Sequence, residues 1–235
     1  MMENEPRHRT NLRLLAPLFL FAGISFFAAP IFHPNNTCAD WLMKWGQLSA
    51  DRIWIPIHQV ASLGFALGAA TLFLFAIVGP RQMVGLCGGA AATAGFGMMS
   101  MLTLIHATSV SVLGAAYNSA TTTTQRESAR LMAMALVSYD VAVEGVAAVL
   151  LSTGLVMLAL YLFRIEAISA FPVLVLAGDG SIWAVQYFRL LRVFHYGFPE
   201  WVPYTSLGLW LCAVGVLLAI PQKAPRLSGE VVAAT

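Results

Sequence analysis

Long apolar runs separated by short polar breaks occupy the whole of this 235-residue chain. The runs cover about 13–33, 53–79, 82–117, 127–163, 167–191 and 204–220. The breaks are polar or carry Pro and Gly: HPNNTCADWLMKWGQLSADR, GPRQ, NSATTTTQRE, RIEA, FHYGFPEWVP and a tail beginning PQKAPR. A run of about 20 apolar residues rises far enough, at 1.5 Å per residue, to cross roughly 30 Å of hydrocarbon. The pattern therefore predicts an all-α, polytopic integral membrane protein: a six-transmembrane-helix bundle forming one domain over residues 1–235. An even number of spans puts both termini on one side. The third and fourth runs are too long for the bilayer, since a 36-residue helix would reach about 54 Å, so a helical hairpin extension is expected between helices 3 and 4. The threonine run, Gln125, Arg126, Glu127 and Arg130 suit a wet tip there.

Composition agrees with a bilayer. The chain is 59% hydrophobic and 10% charged, against roughly 25% charged for a soluble domain. The net charge of +2 forms no basic stripe or polybasic cluster, which argues against nucleic acid and leaves membrane lipids as the surrounding partner. Lys and Arg favour the terminal side by seven to six, a small positive-inside margin for cytoplasmic termini and a multi-pass membrane location. The first run follows Arg7, Arg9 and Arg13 but is too long for a signal-peptide core and lacks a small-x-small cleavage site, so it reads as a helix. Cys38, Cys87 and Cys212 fit neither a disulfide framework nor a CxxC motif. The tryptophans, Trp45 and Trp54 among them, fall mostly near the outer boundary, as an aromatic belt would. Gly64 and Gly68, and Gly85, Gly89, Thr93 and Gly97, recur at four-residue spacing, marking close helix contacts within the chain or with a homo-oligomeric or larger-complex partner.

Polar residues inside these runs carry the functional question. Helices joined by GPRQ must run antiparallel, and counting from that turn puts His58 and His106 at about 33 and 39 Å. Counting up the fourth run from Arg164 puts Glu144 and Asp140, one helical turn apart, at about 30 and 36 Å. The four fall in one outer layer, with Tyr139, Arg130, Gln186, His33 and His195 nearby.

Two imidazoles with one or two carboxylates form a ligand set for a metal ion such as Fe, Cu or Zn, or a frame for a b-type haem between His58 and His106. On that reading His58, His106, Glu144 and Asp140 bind the metal, Gln186 and Tyr139 support them, and the protein is an oxidoreductase or a subunit of a redox complex. No HExxH, CxxCH or paired Glu-x-x-His motif accompanies the set, and nothing decides whether the chain is an enzyme.

Asp179, in LAGDGSIW, lies about 18 Å into the fifth run between glycines, a pattern suited to a small-molecule or proton-coupled transporter using Asp179 and Glu144. A third reading is a non-catalytic accessory or lipid-binding subunit. No lysine lies in any run, which removes a retinal Schiff base, and the GxSxG elbow and P-loop are absent.

Overall fold

The computed structural model describes residues 13–32, 40–78, 82–165, 170–190 and 201–220. Among them the chain is all helical, with α1 (Ala16–Phe32), α2 (Trp41–Ser49), α3 (Trp54–Val78), α4 (Met83–Ser119), α5 (Thr123–Ile165), α6 (Ala170–Leu190) and α7 (Trp201–Ala219). Six spans were expected, whereas among the described residues three helices, α3, α4 and α5, are long and apolar enough to cross a membrane. The others carry shorter apolar stretches: Ala16–Ala28, Val175–Val185 and Tyr204–Ala219. At 1.5 Å per residue, the 17 residues of α1 reach about 25 Å, short of the hydrocarbon core.

Apart from α2, the helices form a closed up-and-down ring. α1 packs on α3 and α7, α3 on α4, α4 on α5, α5 on α6, and α6 on α7. Large apolar side chains cover its outside, including Phe21, Leu63, Phe73, Leu86, Val149, Phe163 and Leu209, as lipid contact requires. The interior is aromatic. Phe26 meets Phe65 edge-on at 4.9 Å, Phe65 lies 5.9 Å from both Phe96 and Tyr204, and Tyr204 stands 5.5 Å from Trp183.

Glycine sets the closest approaches. A Cβ on Gly154 of α5 would lie 2.4 Å from the Ala92 nitrogen of α4, and one on Gly95 would meet Leu151 Cγ at 2.7 Å. Gly64 packs on Ser25, Gly68 on Phe96, Gly85 on Tyr161 and Gly89 on Ala76, so four of the five glycines read as docking faces make contacts inside the chain. Gly97 has nothing within 4 Å of where its Cβ would be.

The α4–α5 hairpin continues unbroken to its tip. Gln125 Oε1 accepts from the backbone N–H of Thr122 at 3.2 Å, and the Thr122 hydroxyl accepts from the Gln125 N–H at 3.2 Å. This reciprocal capping box explains why α5 starts at Thr123. α2 stands where the sequence reading left a loop. It begins because Asp40 Oδ1 accepts from the N–H groups of Leu42 and Met43 at 2.9 and 3.1 Å.

The glycine contacts give a paired prediction. Gly154→Ala should destabilise by roughly 1–3 kcal/mol, because backbone rather than a movable side chain blocks the methyl group. Gly97→Ala should be neutral or stabilising by up to about 1 kcal/mol, through helix propensity alone. Thermal unfolding of both variants in detergent tests this; equal effects would remove the argument.

Candidate functional site

Constant antiparallel register between α4 and α5, from Gly85 against Tyr161 through Gly95 against Leu151, brings His106 opposite Asp140. His106 Nδ1 lies 2.9 Å from Asp140 Oδ2. A carboxylate can only accept, so Nδ1 carries the proton in the neutral ring and the lone pair lies on Nε2. The other oxygen, Asp140 Oδ1, is buried without a hydrogen-bond partner.

His58 comes from α3. Its Nδ1 lies 2.7 Å from the Trp54 carbonyl oxygen, one turn back along its own helix. That carbonyl also only accepts, so His58 has the same tautomer as His106. The two imidazole centres are 6.2 Å apart with 30° between planes. Trp54 lies beside both, 4.2 Å from His58 and 6.4 Å from His106. Its indole N–H donates to the Ala107 carbonyl at 3.0 Å, which ties the start of α3 to α4. One turn further in, the Ser62 and Ser100 hydroxyls each donate to the other residue's carbonyl at 3.0 Å.

α2 covers this cluster from outside. Trp45 meets His106 edge-on at 5.8 Å, and Trp41 meets Trp45 at 4.9 Å. The helix can lie this close because Gly46 and Gly114 put backbone against backbone: a Cβ on Gly114 would fall 2.5 Å from the Gly46 nitrogen. Tyr117 donates its hydroxyl proton to Asp40 Oδ2 at 3.1 Å and holds the N-terminal end of α2.

Of the residues singled out from sequence, His58, His106 and Asp140 come together. Glu144 sits one turn inward on α5, half-buried and engaged with a partner. Tyr139 is 51% exposed, about 100° around α5 from Asp140. Gln186 falls on α6, but its side chain lies outside the described residues, as do His33, His195 and Cys38. Trp54 and Trp45 were read as belt residues, yet they build the cluster. The spacing of Trp54 and His58, one turn apart on one face, was the available signal.

Asp179 is a separate place. It is 1% exposed on α6 and accepts a hydrogen bond through Oδ1 from the Ser206 hydroxyl of α7. Its Oδ2 is buried without a hydrogen-bond partner. Trp183, one turn on, brings its indole N–H next to the same carboxyl without a well-formed hydrogen bond. A Cβ on Gly180 would lie 3.0 Å from the Ser152 carbonyl oxygen of α5. Ser152 is 12 residues beyond Asp140, so Asp179 lies roughly 18 Å inward of the histidine layer.

The chain matches no known protein family, no curated protein and no solved structure. Among the described residues no group of three or more His, Cys, Asp or Glu side chains could hold a metal ion.

Asp40 gives the outer layer a pH dependence. Its carboxyl is held below the usual carboxylate range, first by the Met43 N–H and also by the Tyr117 hydroxyl and the Leu42 N–H. A lowered folded-state pKa means that the stabilisation is present above the ordinary carboxylate pKa and is lost as pH falls through the lowered value. Acidification should loosen α2 and shift the emission of Trp45, and Asp40→Ala should do so at neutral pH, with a loss of about 1 kcal/mol. Tryptophan emission compared with Trp45→Phe is the measurement, and an acid-insensitive Trp45 signal would count against it.

Proposed function

We propose that this chain is a six-span membrane protein with both termini cytoplasmic, and that it moves a small solute in exchange or in company with protons. The observation that carries this reading is that Asp140 and Asp179 are buried, each with one oxygen lacking a hydrogen-bond partner. Among the described residues neither makes an ion pair with Lys or Arg. A buried charge without a counter-charge costs several kcal/mol, and an ionisable group at membrane depth normally marks a substrate or proton path. A proton is the simplest neutralising partner for Asp179, whose described surroundings are the Ser206 hydroxyl, the Trp183 indole and backbone.

Ring closure supports six spans: α1, α6 and α7 alternate in direction with α3, α4 and α5 and share one core with them. Asp179 would carry the proton in the α6–α7 seam. Asp140 with His106 would take it up at the outer face, and Glu144 lies between the two levels.

Dicyclohexylcarbodiimide adds to protonated carboxyls sheltered from water. It should label Asp179 in the intact protein, less as the buffer is made alkaline, as read by peptide mass spectrometry. In proteoliposomes with a trapped pH dye, a panel of small solutes should include at least one that drives proton movement, and Asp179→Asn should abolish that movement. An unlabelled Asp179 at every pH, or solute-driven proton movement that persists in Asp179→Asn, would defeat the proposal.

A further inference from the structure

Asp179 and Trp183 make an unfinished pair. Both residues are 1% exposed, and the indole N–H lies beside the carboxyl, yet Asp179 Oδ2 and Trp183 Nε1 are each buried without a hydrogen-bond partner. A full hydrogen bond between them would have satisfied both atoms. Left open, the carboxyl keeps Oδ2 for another partner while the Ser206 hydroxyl holds Oδ1. Tyr204, Thr205 and Ser206 of α7 are only half-buried, so this carboxyl lies one side chain behind the surface of the α6–α7 seam.

The surroundings select the partner. An anion would meet a carboxylate that has no Lys or Arg beside it among the described residues. A polyol would need a partner for each hydroxyl, whereas the α5 side chains nearest Gly180 are Leu155 and Val156. A bare metal cation such as calcium or magnesium needs about six oxygens. The glycines beside Asp179 do not release carbonyls for that purpose, because α6 stays helical from Ala170 to Leu190. An organic ammonium needs less: one carboxylate, apolar walls and aromatic rings, whose faces attract positive charge most strongly where water is excluded. The rings are present. Trp183 adjoins the carboxyl, Tyr204 stands 5.5 Å from Trp183, and Phe65 lies 5.9 Å from Tyr204.

We propose that the solute is a monovalent organic cation with an apolar body, a protonated or quaternary amine, bound at the α6–α7 seam by Asp179 with Trp183 and Tyr204 against it. This rests on the reading of Asp179 as the proton carrier and adds that proton and cation occupy the carboxyl in turn. Each cation that enters displaces one proton, so the movement is an exchange. Other titratable groups described on the helices packed against α6 lie elsewhere. On α5, Asp140 and Glu144 are about 18 and 12 Å outward, Arg164 is about 18 Å inward, and Tyr161 packs on Gly85 of α4. On α7, Cys212 faces Gly23 of α1, which leaves Tyr204 at this level.

Binding would be read in detergent, apart from any flux, with tritiated tetraphenylphosphonium, whose charge is permanent and whose body is apolar. The wild type should bind one cation per chain saturably and release close to one proton in weakly buffered solution. Affinity should fall as the pH is lowered, approaching tenfold per pH unit once Asp179 is mostly protonated. Asp179→Asn should abolish saturable binding, Trp183→Leu should weaken it roughly tenfold, and Trp183→Phe should weaken it less. Sodium in thousandfold excess should not displace the probe. On the unaltered protein, the probe should slow carbodiimide labelling of Asp179. Labelling of Asp179 with neither saturable binding nor protection would overturn the cation and leave the proton reading standing. Binding that survives in Asp179→Asn, ignores pH or yields to sodium would overturn the shared site.

Discussion

At Gly154 the backbone of α5 comes so near that of α4 that one methyl group would lie 2.4 Å from the Ala92 nitrogen. Inside a bilayer, lipid tails are as apolar as the helices, and van der Waals contact at small residues holds two helices together. The same contact determines register. Gly88 meets Gly154 and Leu158, Gly95 meets Ala147 and Leu151, and about three turns further out His106 faces Asp140. A slip of one residue on either helix would rotate its side chains by about 100° and separate that pair. The polar layer at the outer end thus depends on a glycine contact more than 15 Å away along α5, estimated at 1.5 Å per residue.

That layer is built so that few polar atoms are left without partners. The Trp54 indole reaches across to the Ala107 carbonyl while its own carbonyl receives His58, so one residue at the head of α3 anchors both the next helix and an imidazole. Ser62 and Ser100 cross-bond one turn further in. Below them Phe26, Phe65, Phe96 and Tyr204 close the interior. Against this background the lone oxygens of Asp140 and Asp179 stand out. Native interiors leave few such atoms, and each asks for a physical reason.

Much of the outer layer was legible because its geometry follows from counting. A short turn forces antiparallel helices, and a fixed rise per residue converts distance from the turn into depth, which is why His58, His106 and Asp140 could be set at one level. Rotation about each helix was less accessible. Depth alone could not tell that Asp140 turns toward His106 while Tyr139 turns outward, or that Trp54 lies against the His58 ring. α2 was missed because its stretch was weighed as a polar break; Asp40 before an amphipathic Trp41–Ser49 carried the N-cap signal. The glycine rows were visible as contact faces, but whether they met this chain or another depended on the ring order.

The two buried acids differ in their access to water, and that difference constrains any mechanism linking them. Asp140 touches His106, whose side chain is one-third exposed. Asp179 lies about 18 Å inward, at the level where the aromatic layer fills the ring. Glu144 divides that distance unequally, about 6 Å from Asp140 along the axis and about 12 Å from Asp179. The longer gap is several times a hydrogen bond, so proton transfer across it requires either a file of water or movement of a helix. Tyr204 and Trp183 stand at that level, 5.5 Å apart, on the two helices that Ser206 and Asp179 join. A proton arriving at Asp179 would therefore act at the contact between α6 and α7. The arrangement described here is closed between its two titratable levels, and opening would have to part that seam.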